Sequence, residues 1–250
     1  RWRAGPMQGW LQPIGRLNCP PWKALQGIDP QKQAVERNLR QFVAGLPANH
    51  VLLTGSRGCG KSSLIKALLP RLAKKGLRMV EVDKDDLVHL PDIVGRLADQ
   101  PYRFVIFTDD LSFEAGDPAY KPLKAALDGS LAGLAENCLI CATSNRRHLM
   151  PDFMAENLAT QYVGAEVHPA EGIEEKISLS DRFGLWLTFY LFDQEPYLAI
   201  AEAWVDELGG AWDDTARLEA LQWATQRGGR SGRTARQFAN DWAGRQGLKR

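Results

Sequence analysis

Between residues 50 and 142, short apolar runs alternate with longer stretches in which apolar positions recur every three or four residues. Val51–Leu53, Arg78–Val82, Phe104–Phe107 and Cys138–Ala142 are too short for helices and read as strands. Ser62–Lys75, Leu87–Ala98 and Pro118–Leu131 carry the helical period. Apolar strands joined by helices predict a parallel sheet covered on both faces, a doubly wound α/β domain. A further helix is expected from Asp29, as N-cap, and Pro30, at the first helical position, through Phe42; Val35, Leu39, Phe42 and Val43 form its apolar stripe.

The flanks break this rhythm. Residues 1–24 are rich in Trp, Pro and Gly without periodicity and read as an extended arm; Trp2, Trp10 and Trp22 need cover from this domain, a neighbouring subunit or an upstream segment. Residues 150–178 form an acidic, proline-containing interruption, and Leu185–Phe189 offers one more strand. Beyond Asp193 the pattern is helical through Tyr197–Leu208, Asp214–Gln226 and Thr234–Ala243. The expected organisation is an arm (1–24), an α/β nucleotide-binding domain (25–192) and a small all-helical lid (193–250).

Composition narrows the partners. With 31 basic and 30 acidic residues the chain has no global field drawing it to nucleic acid or membrane, so such binding needs a local patch. No apolar run approaches the ~18 to 20 residues that span a bilayer, which predicts a cytoplasmic protein without membrane partners; because the chain starts at Arg1 rather than Met, a targeting segment upstream stays open. Cys19, Cys59, Cys138 and Cys141 are too few and scattered for a disulfide framework, and Cys138 and Cys141, inside an apolar run, are expected to pack in the core.

The chemistry begins where the first run ends. Gly55, Ser56, Arg57, Gly58, Cys59, Gly60, Lys61 and Ser62 match the eight positions of a phosphate-binding loop, set between a strand and a helix, with Ser63 following. Glycines let successive N–H groups face the phosphates, and the helix offers its positive end to the same anion. Lys61 can reach the β and γ phosphates and the Ser62 hydroxyl can ligate Mg²⁺. ATP or GTP is the expected ligand.

Other parts of a hydrolytic site follow in order. Tyr102–Phe107 leads to Asp109 and Asp110, which places carboxylates at the sheet's C-terminal edge: Asp109 for Mg²⁺, Asp110 to activate water, with Glu114 as competitor. Asn145 ends the next strand and can sense the γ-phosphate. Arg182 carries a permanently charged, forked head suited to a transferring phosphoryl group of an adjacent subunit; Arg146 and Arg147 are alternatives, as is a salt bridge within the chain. Arg233, in a Gly-Arg turn before the last helix, can reach the γ-phosphate from the helical domain. Seven basic residues from Arg227 to Arg250 face one acidic residue, Asp241, either as a nucleic-acid contact or as a solvated tail.

Together, Gly55 to Ser62, Asp109-Asp110, Asn145, Asp181-Arg182-Phe183 and Gly232-Arg233 resemble the AAA+ ATPases, corresponding to Walker A, Walker B, sensor 1, arginine finger and sensor 2. Leu25 to Lys32, Asp109 to Glu114, Thr143 to Leu149 and Leu179 to Gly184 look more narrowly like a bacterial family of uncharacterised predicted AAA+ ATPases. The resemblance implies ATP rather than GTP, with Mg²⁺, hydrolysis, and a homo-oligomeric ring or partial ring that remodels a protein or nucleic-acid substrate; a nucleotide-dependent adaptor or loader with little turnover is the alternative. Asp110 replaces the Glu of many relatives, and no aromatic-Val-Gly pore loop is present.

Overall fold

The computed structural model describes residues 1–5, 8–114, 116–128, 134–146, 149, 161–163, 166–168 and 179–248. Five strands form the main sheet: β3 (Val51–Gly55), β4 (Leu77–Glu81), β5 (Arg103–Thr108), β6 (Cys138–Thr143) and β9 (Leu185–Phe189). Their spatial order is β4-β5-β6-β3-β9, with β4 parallel to β5, β5 to β6, and β6 to β3. All residues of β6, and all but the first of β5, are buried, which explains why these strands are apolar throughout rather than alternating. The predicted α/β class is correct.

Among the described residues, helices α1 (Asp29–Val43), α2 (Lys61–Leu72), α3 (Leu90–Leu97) and α4 (Tyr120–Leu127) accompany the sheet strands. The helix expected from Leu87 begins as a 3-10 segment, Lys84–His89, and becomes α-helical only at Leu90. Pro91 explains the break, because its missing N–H is tolerated only in a first turn. Likewise α2 gives way to a 3-10 turn at Ala73–Lys75, closed by Gly76 at φ +97°.

By contact the chain divides into two compact units. The first comprises residues 1–17, 35–54 and 69–188. Its core joins Leu52, Ile106 and Ile140 from the sheet to Ile93, Phe113 and Leu123 around it. Trp2 belongs to this core: β1 (Trp2–Arg3) pairs antiparallel with β2 (Trp10–Leu11), and the Trp2 ring is buried beside His89 and under the Arg96 guanidinium. The arm is therefore partly a hairpin, and its first tryptophan is covered by its own unit, whereas Trp10 is 51% exposed. Asn38 on α1 donates to the Asn49 carbonyl (2.8 Å) and accepts from the Asn49 amide (3.0 Å), pinning the approach to β3. Most of the 150–178 interruption lies outside the described residues; within it β7 (Gln161–Val163) pairs antiparallel with β8 (Glu166–His168).

The second unit comprises residues 18–34, 55–68 and 189–250. Helices α5 (Gln194–Glu207), α6 (Asp214–Gln226) and α7 (Gly232–Gly247) enclose Tyr197, Val205, Ala220, Phe238 and Trp242. Alanines at 216, 220 and 224, spaced one turn apart, are all buried, so α6 presents a narrow, small-residue face to its neighbours. The buried Tyr197 hydroxyl donates to the Ala220 carbonyl at 3.0 Å, and Asp213 and Ser231 cap α6 and α7. Among the described residues no helix is long and apolar enough to cross a membrane.

Candidate nucleotide site

The phosphate loop lies in the second unit. It leaves β3 at Gly55, and Lys61 is the first residue of α2, followed in its first turn by Ser62 and Ser63. Gly55 has φ +114°, and a Cβ there would sit 2.0 Å from the Phe189 carbonyl oxygen, so only glycine fits this turn. The next residue, Ser56, donates its N–H to that same carbonyl at 2.9 Å. The buried Lys61 ammonium donates to the Gly55 carbonyl at 2.7 Å and to the Ser56 carbonyl at 2.8 Å, closing the loop on itself. Arg57 is exposed, whereas Cys59 is buried. Burial pushes the Cys59 thiol up, against the pull of Lys61, which keeps it neutral and a poor nucleophile.

The C-terminal helical segment meets the loop through the backbone. Gly58, at φ +77°, accepts from the Arg233 N–H at 3.1 Å, and a Cβ on Gly58 would lie 2.8 Å from the Ser231 hydroxyl and 2.9 Å from the Arg233 Cβ. The Ser231 side chain in turn caps α7 by accepting from the Thr234 N–H. Arg233 itself is exposed, as are Arg227, Arg230 and Arg236; Arg227 and Arg236 lie over the rings of Trp223 and Trp204. Arg245 pairs with Glu219 and Asp241, so part of the basic tail is already neutralised. Lys249 and Arg250 lie outside the described residues.

The carboxylates stand in the first unit, at the carboxyl ends of β5 and β6. The parallel register pairs Thr108 with Ala142, so the next step along each strand brings Asp109 beside Thr143. The Thr143 hydroxyl donates to Asp109 Oδ1 at 2.5 Å, the Asp110 N–H donates to that hydroxyl at 3.1 Å, and Asn145 Nδ2 donates to Asp110 Oδ1 at 2.5 Å. Asp109 and Asp110 are both exposed, and Asp110 has φ +54°, a left-handed conformation that Asp tolerates better than most residues. Glu114 accepts from Arg146 at 2.8 Å. Arg182 pairs with Asp128 within the chain. Arg147 lies outside the described residues.

Sequence reasoning named Asp109, Asp110 and Asn145 but missed Thr143, because its place beside Asp109 follows from the β5–β6 register rather than from any local signal. It also missed Asp128 as the partner of Arg182, because nothing local links residues 54 positions apart. Cys138 and Cys141 are buried on β6 as expected, and burial pushes the Cys138 thiol up to about 11. Among the described residues no three His, Cys, Asp or Glu side chains converge as a metal cluster. The Asp109 carboxylate and the Ser62 hydroxyl, the ligands expected from the sequence, are each hard oxygen donors of the kind that Mg²⁺ takes alongside substrate phosphates.

Residues 1–246 match the family described as "Protein of unknown function (DUF815)". The chain belongs to this family. No curated protein sequence matches it. Among solved structures, this family member is similar to the Thermotoga maritima RuvB Holliday junction branch migration motor (15% identity, TM-score 0.56), covering 90% of this chain and 64% of that one. It is also similar to a chain of the Escherichia coli MS115-1 HORMA:CdnC:Trip13 complex (14% identity, TM-score 0.56, 88% of this chain and 89% of that one). Aeropyrum pernix ORC1 in complex with DNA aligns at 14% identity and TM-score 0.57, over 84% of this chain and 57% of that one. The chain therefore spans just under two thirds of the length of the RuvB chain. At these identities the likeness concerns the fold, which is the α/β P-loop fold of AAA+ ATPases with C-terminal helices.

Proposed function

We propose that the protein binds ATP with Mg²⁺ and hydrolyses it, working as a ring or partial ring of identical subunits that remodels a protein or nucleic-acid substrate. The complete phosphate-loop sequence, with Lys61 opening a helix directly after the first sheet strand, carries this reading. In it the amides of residues 55–63 and Lys61 hold the phosphates, Ser62 and Asp109 hold Mg²⁺, and Arg233 contacts the γ-phosphate. Bound Mg²⁺ supplies charge neutralisation on the phosphates. Asp110 orients and deprotonates the attacking water, Asn145 fixes Asp110 and senses the γ-phosphate, and Arg182 acts on the nucleotide of a neighbouring subunit. That last role requires Arg182 to leave Asp128. Glu114, held by Arg146, is the competing base.

A second reading is a nucleotide-dependent adaptor or loader that turns over slowly. Both candidate bases are hydrogen-bonded, Asp110 to Asn145 and Glu114 to Arg146, which favours an idle state that a partner must release. The exposed Arg227, Arg230, Arg233 and Arg236 make DNA one such partner to test. ATP turnover and particle mass, each with and without DNA, separate the readings. Mg²⁺-dependent turnover in a multi-subunit particle supports the motor, turnover only after DNA is added supports the adaptor, and absence of Mg²⁺-ATP binding refutes both.

A further inference from the structure

At the end of β6, Thr143 ties together the two acidic residues that follow the neighbouring strand. Its hydroxyl has one hydrogen. The Asp110 N–H, which can only donate, takes an acceptor lone pair of Oγ1, so that hydrogen is directed to the Asp109 carboxylate, which accepts it at 2.5 Å. A hydroxyl-to-carboxylate bond of this length is charge-assisted, and Thr143 is buried, so water does not compete for the hydroxyl.

The backbone gives this bond its consequence. In an extended strand, Asp109 and Asp110 would project to opposite faces, whereas Thr143 and Asn145, two residues apart, would share one. Yet Asp109 meets Thr143 and Asp110 meets Asn145. The left-handed φ of +54° at Asp110 is what breaks the alternation, and the Asp110 N–H to Thr143 bond anchors that conformation. Without the anchor, relaxation to an extended φ would swing the Asp110 carboxylate away from Asn145.

We infer that Thr143 is a positioning residue: it orients the Asp109 carboxylate for Mg²⁺ and holds Asp110 in the strained turn that presents its carboxylate to water. The inference rests on the proposed roles of Asp109 and Asp110 at an ATP site. It is tested by Thr143→Val, which keeps the shape and removes the hydroxyl, beside Thr143→Ser, which keeps the hydroxyl. ATP affinity, kcat, KM and the Mg²⁺ concentration giving half-maximal ATP binding are measured for each, with a thermal melt to confirm folding.

In Thr143→Val, kcat is expected to fall about 10-fold or more while KM for ATP changes less than about 3-fold, and the Mg²⁺ midpoint to rise by about 3-fold or more. Thr143→Ser should restore all three to within about 2-fold of the parent. Should Thr143→Val fold poorly, Thr143→Cys, with only a weak S–H donor, takes its place with the same expectation. If the parent binds Mg²⁺-ATP but does not hydrolyse it, the Mg²⁺ midpoint alone decides. A parent that hydrolyses ATP with unchanged kcat and Mg²⁺ midpoint in Thr143→Val overturns this inference and leaves the ATPase reading standing; a parent that binds no Mg²⁺-ATP overturns both.

Discussion

The phosphate loop and the acidic edge of the sheet are built on opposite principles. The loop of the second unit is defined by backbone: Gly55 and Gly58 at positive φ, the Phe189 carbonyl against Ser56, the Arg233 amide on Gly58, and Lys61 folded onto two loop carbonyls. The carboxyl edge of the sheet in the first unit is defined by side chains, with Thr143 on Asp109, Asn145 on Asp110 and Arg146 on Glu114. A cradle made of backbone amides and one lysine fits any nucleotide phosphate, whereas an edge made of paired side chains can be opened or shut one hydrogen bond at a time. On the proposed reading, phosphate binding belongs to the first construction, and Mg²⁺ placement and control of turnover to the second.

The largest effect that sharpens this contrast is expected in Lys61→Ala. Removing the one buried cation of the loop should weaken Mg²⁺-ATP binding by about 100-fold or more, measured by nucleotide titration, while the fold of the sheet unit persists. Affinity equal to the parent would break the assignment of the loop.

Gly58→Ala comes next. A methyl group there meets Ser231 and Arg233 below 3.0 Å in a left-handed conformation, so stability should drop by about 1 to 3 kcal/mol in denaturant unfolding. ATP affinity should fall with it, since the loop can no longer hold the Arg233 amide. A variant as stable as the parent would show that the loop is less tightly determined by backbone than the contacts imply.

A smaller effect concerns the sheet unit alone. Burial lowers the pKa of His50 below its ordinary 6.5, and Nδ1 accepts the Ile140 N–H, which requires the neutral ring. The unfolded chain takes up a proton below that pH that the folded state resists. Stability should therefore fall as pH drops below 6.5, by at most about 1.4 kcal/mol per pH unit from this group. In His50→Gln that component of the pH dependence should disappear from denaturant unfolding; an unchanged profile would assign it elsewhere.

The backbone-built half was the more legible from sequence. Glycine spacing, a lysine and a following helix are local signals, and the runs at Leu185–Phe189 and Asp214–Gln226 coincide with β9 and α6. Strands β3, β5 and β6 were recognisable because burial on both faces left them largely apolar. What stayed hidden depends on partners distant in sequence. The two-residue strands β1 and β2 have no room for an alternating pattern, and the burial of Trp2 is set by His89 and Arg96, over 80 residues away. The engagement of Arg182 by Asp128 and the double role of Thr143 arise from chain packing and strand register. The acidic edge could be located by sequence, but its wiring could not.

The division between binding and turnover is tested most directly by Asp110→Asn, with Mg²⁺-ATP affinity and ATP turnover measured side by side on the full chain. Affinity is expected to stay within about 3-fold of the parent and turnover to fall by about 100-fold or more. Turnover equal to the parent would contradict this and move the base to Glu114; loss of affinity together with turnover would show that Asp110 serves binding as well.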